Sequence, residues 1–222
     1  MIGAAPGTML APSFLTSKTI RGWRDGGILV LLHGLTGDID GKKYEGQMVA
    51  MATNDDAWIA NVLTYVRKAF GGGASFVTPE QVKALRLATK DRTQPWTATE
   101  LRSALPQPLA NSKDWKLTAS DKPDGCESAI DGQPDTRYTS GRGQKPGMWF
   151  QIELPQEAEI VGLELDAQKS PNDYPRGYEV AVSLDGAQWS KPLAKGAGSG
   201  PVTGIEFPAT RAKFIKITQP AR

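Results

Sequence analysis

Two short stretches of this chain gather residue types that bind ligands. The first is Ser128-Ala-Ile-Asp131-Gly132-Gln133-Pro-Asp135-Thr136, with two carboxylates and two hydroxyls around a glycine. A tight glycine turn lets carboxylate and carbonyl oxygens converge, and Ca²⁺ takes about six to eight such donors. The same residues also suit an Asx-turn, in which Asp131 and Asp135 accept backbone amides. The second stretch is Ser170-Pro171-Asn172-Asp173-Tyr174-Pro175-Arg176. Its tyrosine ring can stack on the C–H face of a pyranose, while Asn172, Asp173 and Arg176 pair with hydroxyls. Arg176 also suits a uronate. The competing role for Arg176 is an ion pair with Asp173 that only holds the loop closed. No hydrolytic machinery accompanies these stretches. Hydrolysis needs paired carboxylates or a nucleophile with its base. Asp131 and Asp135 belong to a turn, and His33, the only histidine, has no Ser or Cys partner in a recognisable motif.

At 222 residues the chain allows one large or two small domains. Hydrophobic content of 39% and charge of 23% are ordinary for a globular protein. A net charge of only +2 provides no broad basic field for nucleic acid or an anionic membrane. Cys126 stands alone, which excludes an internal disulfide and a multi-cysteine metal site, and it reads as a small buried thiol. No run approaches the roughly 20 apolar residues of a membrane span. Ile28-Leu-Val-Leu-Leu32 is far too short, and the first residues lack the basic start and apolar core of a signal peptide.

The elements that must position these residues differ between the two halves. In the second half, Met148, Phe150, Ile152 and Leu154 alternate along one strand face. Ile160 to Asp166, Tyr178 to Leu184 and Phe214 to Thr218 are similar short runs. Asp185-Gly186 reads as a hairpin turn between Val182 and Trp189. Short strands separated by Gly, Pro and Asn predict a β-sandwich or jelly roll. The first half is helical. Thr53 or Asn54 caps a helix carrying Ile59, Val62, Leu63, Val66 and Phe70, which Gly71-Gly-Gly73 ends. Thr78-Pro79-Glu80-Gln81 opens another helix with a capping box. The run Ile28 to Leu32 is helical but broken by Gly26-Gly27 and Gly34. Residues 87–112 are polar and proline-bearing, with one short helix at Thr99 to Ala104, and read as a linker that Pro95-Trp96 can pin to one side.

The order of Cys126 to Tyr138, Gly147 to Leu154, Gly177 to Trp189 and Ala212 to Ile217 resembles the discoidin domain (F5/8 type C), and more closely its galactose-binding-like relatives among carbohydrate-binding modules. The resemblance implies a non-catalytic jelly-roll sandwich over residues 113–222 that binds carbohydrate on loops at one end. It implies Ca²⁺ ligands at Ser128 (carbonyl), Asp131, Gln133 and Thr136. It implies sugar contacts from Asn172, Asp173, Tyr174 and Arg176, with Tyr138, Trp149 and Trp189 in the core. The family's closing Trp-Ser-Ile-x-Glu-type strand is not found before Arg222, so the domain reads as lacking its last strand. Phospholipid binding, as in the clotting-factor branch, needs protruding apolar tips, and the loops offer only Met148 and Tyr174.

Val30-Leu-Leu-His33-Gly-Leu-Thr-Gly37, Lys43-Tyr44-Glu-Gly-Gln-Met48 and Ile59 to Arg67 are similar to the C-terminal half of a class I c-type cytochrome domain, of the kind fused to large secreted proteins of planctomycete-type bacteria. That resemblance implies a haem c in the intact parent, with Met48 as axial ligand, a redox partner, and a periplasmic or secreted location. The haem-attaching Cys-x-x-Cys-His is not in this sequence, and Val49 replaces the usual proline after the methionine. The expectation is therefore a fragment: an α + β multidomain chain with a partial cytochrome-like helical domain at 1–86, a linker at 87–112 and the sandwich at 113–222. The function expected is carbohydrate binding beside a truncated electron-transfer domain. The alternative is an electron-transfer protein whose discoidin domain docks protein partners or adheres to surfaces.

Overall fold

The computed structural model describes residues 12–13, 17–39, 41–44, 46–70, 75–133, 135–167, 169–170, 172–198, 200 and 202–221. The chain divides into two units, Met1–Gln107 and Pro108–Arg222. No helix among the described residues is long and apolar enough to cross a membrane.

The first unit holds helices α1 (Lys18–Arg21), α2 (Arg24–His33), α3 (Asp56–Phe70), α4 (Pro79–Ala88) and α5 (Ala98–Ala104). Two-residue strands β1 (Leu35–Thr36) and β2 (Trp96–Thr97) pair in parallel. The apolar spacing read in α3 buries Ile59, Ala60 and Leu63 against Ile28 and Leu32 of α2 and Val82 of α4. Helix α2 runs straight through Gly26-Gly27, where a break was expected. The glycines make room: a Cβ on Gly27 would lie 2.8 Å from Leu63, and one on Gly26 would lie 3.1 Å from Leu105. Capping also shifts. Asp55, not Thr53 or Asn54, accepts the Trp58 amide at 2.7 Å, while Asn54 turns back to the Met51 carbonyl. The capping box at Thr78 and Gln81 forms as read. The expected stop at residues 71–73 lies outside the described residues.

The stretch read as a linker does more than connect. Trp96 and Leu101 are buried with Leu29. Thr97 caps α5 in a second capping box with Glu100. Trp96 pins the segment to this unit, as its place beside Pro95 allowed, and Leu101, which the polar composition concealed, is buried with it.

The second unit is a five-stranded antiparallel sheet in the order β3-β4-β7-β5-β6. Its strands are β3 (Lys116–Ala119), β4 (Trp149–Asp166), β5 (Tyr178–Ser183), β6 (Ala194–Gly196) and β7 (Val202–Thr218). β4 and β7 are long partners whose register shifts between Glu153 and Ala158 and again between Ile160 and Gly162. Beyond the first shift they pair only with each other. Ile160, Ile205 and Phe207 from that far portion share one core with Ile152, Val180, Val182 and Ile215. The bent ribbon thus supplies the second layer of a sandwich, as bulges allow strands to do. After β5, Asp185-Gly186 turns as expected, with Gly186 at φ 75°. The partner strand resumes only at Ala194, so Trp189 lies in the connecting loop.

Trp149 and Trp189 are not among the buried core residues. Trp149 is out of phase with Phe150, Ile152 and Leu154 and therefore points to the opposite face. There Lys216 sits 3.9 Å from the Trp189 ring centre and 5.3 Å from that of Trp149. Burial between the rings lowers the Lys216 pKa. Tyr138 and Cys126 do take structural positions. The Tyr138 hydroxyl donates to the Asp121 carbonyl, its ring meets Phe150 edge-on at 4.9 Å, and Cys126 is fully buried.

Candidate functional site

The loop after β4 carries all four sugar-contact candidates, and they line one cleft of about 940 Å³ with Ser140, Arg142, Gln144, Met148 and Trp149. The loop is anchored from two sides. The Gln144 amide donates to the Tyr174 carbonyl and accepts the Arg176 N–H, each at 2.8 Å. Gly198 N–H donates to the Pro175 carbonyl, also at 2.8 Å. Pro171, expected to stiffen the loop, lies outside the described residues.

Side chains on this loop take up fixed relations. The Arg176 guanidinium lies 3.8 Å from the centre of the Tyr174 ring and donates to the Asn172 carbonyl at 3.0 Å. Asp173 pairs with Arg137 at 2.9 Å rather than with Arg176. The expected alternative, an Arg176–Asp173 clasp, is therefore not formed. Stacking on tyrosine holds a planar cation in place at little entropic cost. The opposite wall is polar as well. Arg142 pairs with Asp121, and Ser120 donates to the same carboxylate while accepting the Trp149 N–H. The arrangement offers a flat ring, amides, hydroxyls and guanidinium donors within one concavity.

Sequence reading missed Gln144, Met148 and Trp149 as cleft residues. For Trp149 a signal existed, its phase within β4. For Gln144 there was none, since its role depends on two loops 30 residues apart meeting in space.

The four calcium candidates converge too. Ser128 lies in the last turn of a short 3-10 helix (Pro123–Ala129), and with Asp131, Gln133 and Thr136 it lines a second cavity of about 540 Å³. The Asp131 carboxylate accepts the Gln133 N–H at 2.8 Å and the Thr136 hydroxyl at 2.6 Å, and that hydroxyl lies 3.1 Å from the Gln133 carbonyl. These donors, Thr136 first, hold Asp131 below the usual aspartate pKa. This is the Asx-turn geometry for Asp131, whereas Asp135 pairs with Lys169. Among the described residues no group of three or more His, Cys, Asp or Glu side chains gathers.

Met48 belongs to the first unit. Its backbone pairs with Leu35 in both directions, at 3.0 and 3.1 Å, beside Gly34. A Cβ on Gly34 would fall 2.3 Å from the Met48 carbonyl, so the approach requires glycine. The His33 ring contacts the Thr89 hydroxyl at 2.7 Å and meets Trp96 edge-on.

Several solved structures are similar to this chain. The Clostridium perfringens protein CpGH89CBM32-5, in complex with GalNAc-β-1,3-galactose, is 25% identical, with 48% of this chain and 84% of that chain covered and a TM-score of 0.39. Chitosan-binding module 2 from a Paenibacillus chitosanase/glucanase, in complex with chitotriose, is 27% identical, covering 48% and 83%, with a TM-score of 0.40. The family 32 CBM from C. perfringens NanJ, in complex with galactose, is 19% identical, covering 49% and 84%, with a TM-score of 0.41. No curated protein matches the chain. The family comparison reaches further: residues 110–222, half of the sequence and all of the sandwich, match the F5/8 type C domain, and the chain belongs to that family.

Proposed function

We propose that the sandwich is a carbohydrate-binding module whose ligand lies in the cleft at Tyr174. The observation that carries this reading is the anchored loop. Tyr174 offers a ring, and Asn172, Asp173 and Arg176 offer hydrogen-bonding groups around it, all on a backbone fixed by Gln144. Sugars bind such combinations because their C–H faces pack on rings while their hydroxyls require paired donors and acceptors. Pre-fixing the loop lowers the ordering cost of binding. The test is calorimetric titration with a glycan panel. Tyr174→Ala should weaken the best ligand by about 1–3 kcal/mol and leave the melting midpoint unchanged. A lowered midpoint with unchanged affinity would make Tyr174 a structural residue and remove the site.

The turn at Asp131 is read as a Ca²⁺ site of modest affinity. Its donors are all oxygen, as calcium prefers, and two of them, the Asp131 carboxylate and the Gln133 carbonyl, already lie at the Thr136 hydroxyl. With Asp131 as the only carboxylate among the four candidates, little charge opposes the ion. The cytochrome-like reading of the first unit rests on sequence resemblance alone. Its residues do not fit a haem: Met48 offers one thioether, the sole histidine is engaged by Thr89 and Trp96, and no Cys-x-x-Cys-His is present.

A further inference from the structure

We infer that the cleft selects an acidic sugar, a uronate whose carboxylate is received by Arg176; this rests on the carbohydrate reading above. The argument is one of unspent charge. The Asp173 carboxylate in the cleft pairs with Arg137, and Asp121 pairs with the cleft residue Arg142. Arg176 is different. Among the described residues no acid forms an ion pair with it, and its side-chain hydrogen bond goes to a neutral carbonyl, that of Asn172. Guanidinium has five N–H donors, so most of its fork remains available for a ligand. Lys122 adds to the imbalance. Its side chain crosses Gly141 on the cleft's outer loop, where a Cβ would meet Lys122 Nζ at 2.6 Å, and no acid among the described residues pairs with it. The whole chain carries only +2, so the excess is a local feature rather than a general basicity.

Geometry adds to charge. The guanidinium lies 3.8 Å from the Tyr174 ring centre, and Gln144 fixes the backbone at both Tyr174 and Arg176. A held planar fork matches a planar carboxylate with two parallel hydrogen bonds, stronger than those to neutral hydroxyls. A neutral sugar stacked near Tyr174 would leave that fork only hydroxyls to bind. A uronate places its charged group where the cleft has surplus positive charge.

The experiment compares oligogalacturonate with the same oligomer after methyl esterification, which keeps the ring and removes the charge. A neutral galacto-oligosaccharide serves as a third ligand. The intact chain should bind the acid at least about tenfold more tightly than the ester, with the gap narrowing as salt rises. Arg176→Gln should erase most of that preference, and Arg176→Lys should retain part of it, since a point charge attracts without the bidentate match. Unchanged melting midpoints identify these as binding effects; a large drop in either variant leaves the wild-type acid-to-ester ratio as the deciding measurement. Equal binding of acid and ester by the wild type overturns the uronate inference and leaves carbohydrate binding intact. Failure of every glycan, charged or neutral, overturns the carbohydrate reading itself.

Discussion

Asp131 shows how much one side chain is asked to do in this family's turn. Its carboxylate is held ionised by a hydroxyl and an amide, and a calcium ion would have to share those same oxygens. Because the folded group titrates below the ordinary aspartate range, its stabilising contribution is present above that range and is lost as pH falls through it. Asp185 behaves alike: Gln188 and Ala187 amides, then the Ser183 hydroxyl, lower its pKa. Acid should therefore loosen both turns, and Asp131→Ala should flatten the acid limb of the stability curve. Millimolar Ca²⁺ should raise the melting midpoint of the sandwich in the wild type and not in Asp131→Ala, read by calorimetry with and without chelator. An unchanged wild-type midpoint would leave the turn as an Asx-turn only. The residue types and their order made this turn visible in the sequence. Which proton or ion occupies it is a matter of distances of a few ångströms, which no spacing encodes.

At the scale of elements, helix α3 anchors the first unit through a buried cation. Arg67 is 1% exposed and donates to the carbonyls of Ile20, Gly22 and Ser75 and to the Ser75 hydroxyl. The helix end is thereby tied to segments on both sides of it. Arg67→Leu keeps an apolar stem but removes every donor, leaves a void where the guanidinium lay and strands those carbonyls away from water. It should cost about 3 kcal/mol or more, seen as a lower midpoint for loss of helical circular dichroism. A loss below about 1 kcal/mol would mean that water reaches these carbonyls after all. The helix periodicity and the capping box at Thr78 were read from the sequence, because they depend on neighbours within one turn; the second box, at Thr97 and Glu100, was not. Gly26-Gly27 misled for the opposite reason. A glycine pair weakens a helix locally, yet here it admits Leu63 and Leu105, and that benefit exists only after packing. Trp96 was legible as a residue that could pin its segment, but that it would be buried against Leu29 was decided only by packing.

The molecule as a whole consists of two units with separate cores. The sandwich closes its core with residues between Ile152 and Ile215, all from its own strands. Residues 108–222 expressed alone should therefore melt cooperatively and bind the same glycan within about threefold of the intact chain, a difference under 1 kcal/mol. A molten product would mean that the first unit supplies something essential. Sequence alone determined that there would be a helical unit followed by an antiparallel sandwich, because hydrophobic period is a local property of consecutive residues. It also singled out the loop from Asn172 to Arg176 as the candidate for ligand binding, since polar and aromatic residues between two prolines have no core to join. Tertiary structure decided the rest. It paired Asp173 with Arg137 and thereby left Arg176 free of any acid among the described residues, it recruited Gln144 to hold the loop, and it placed Trp149 on the cleft instead of in the core. Each of those outcomes depends on side chains distant in sequence arriving at one place, where Coulomb attraction and hydrogen-bond reach act over only a few ångströms.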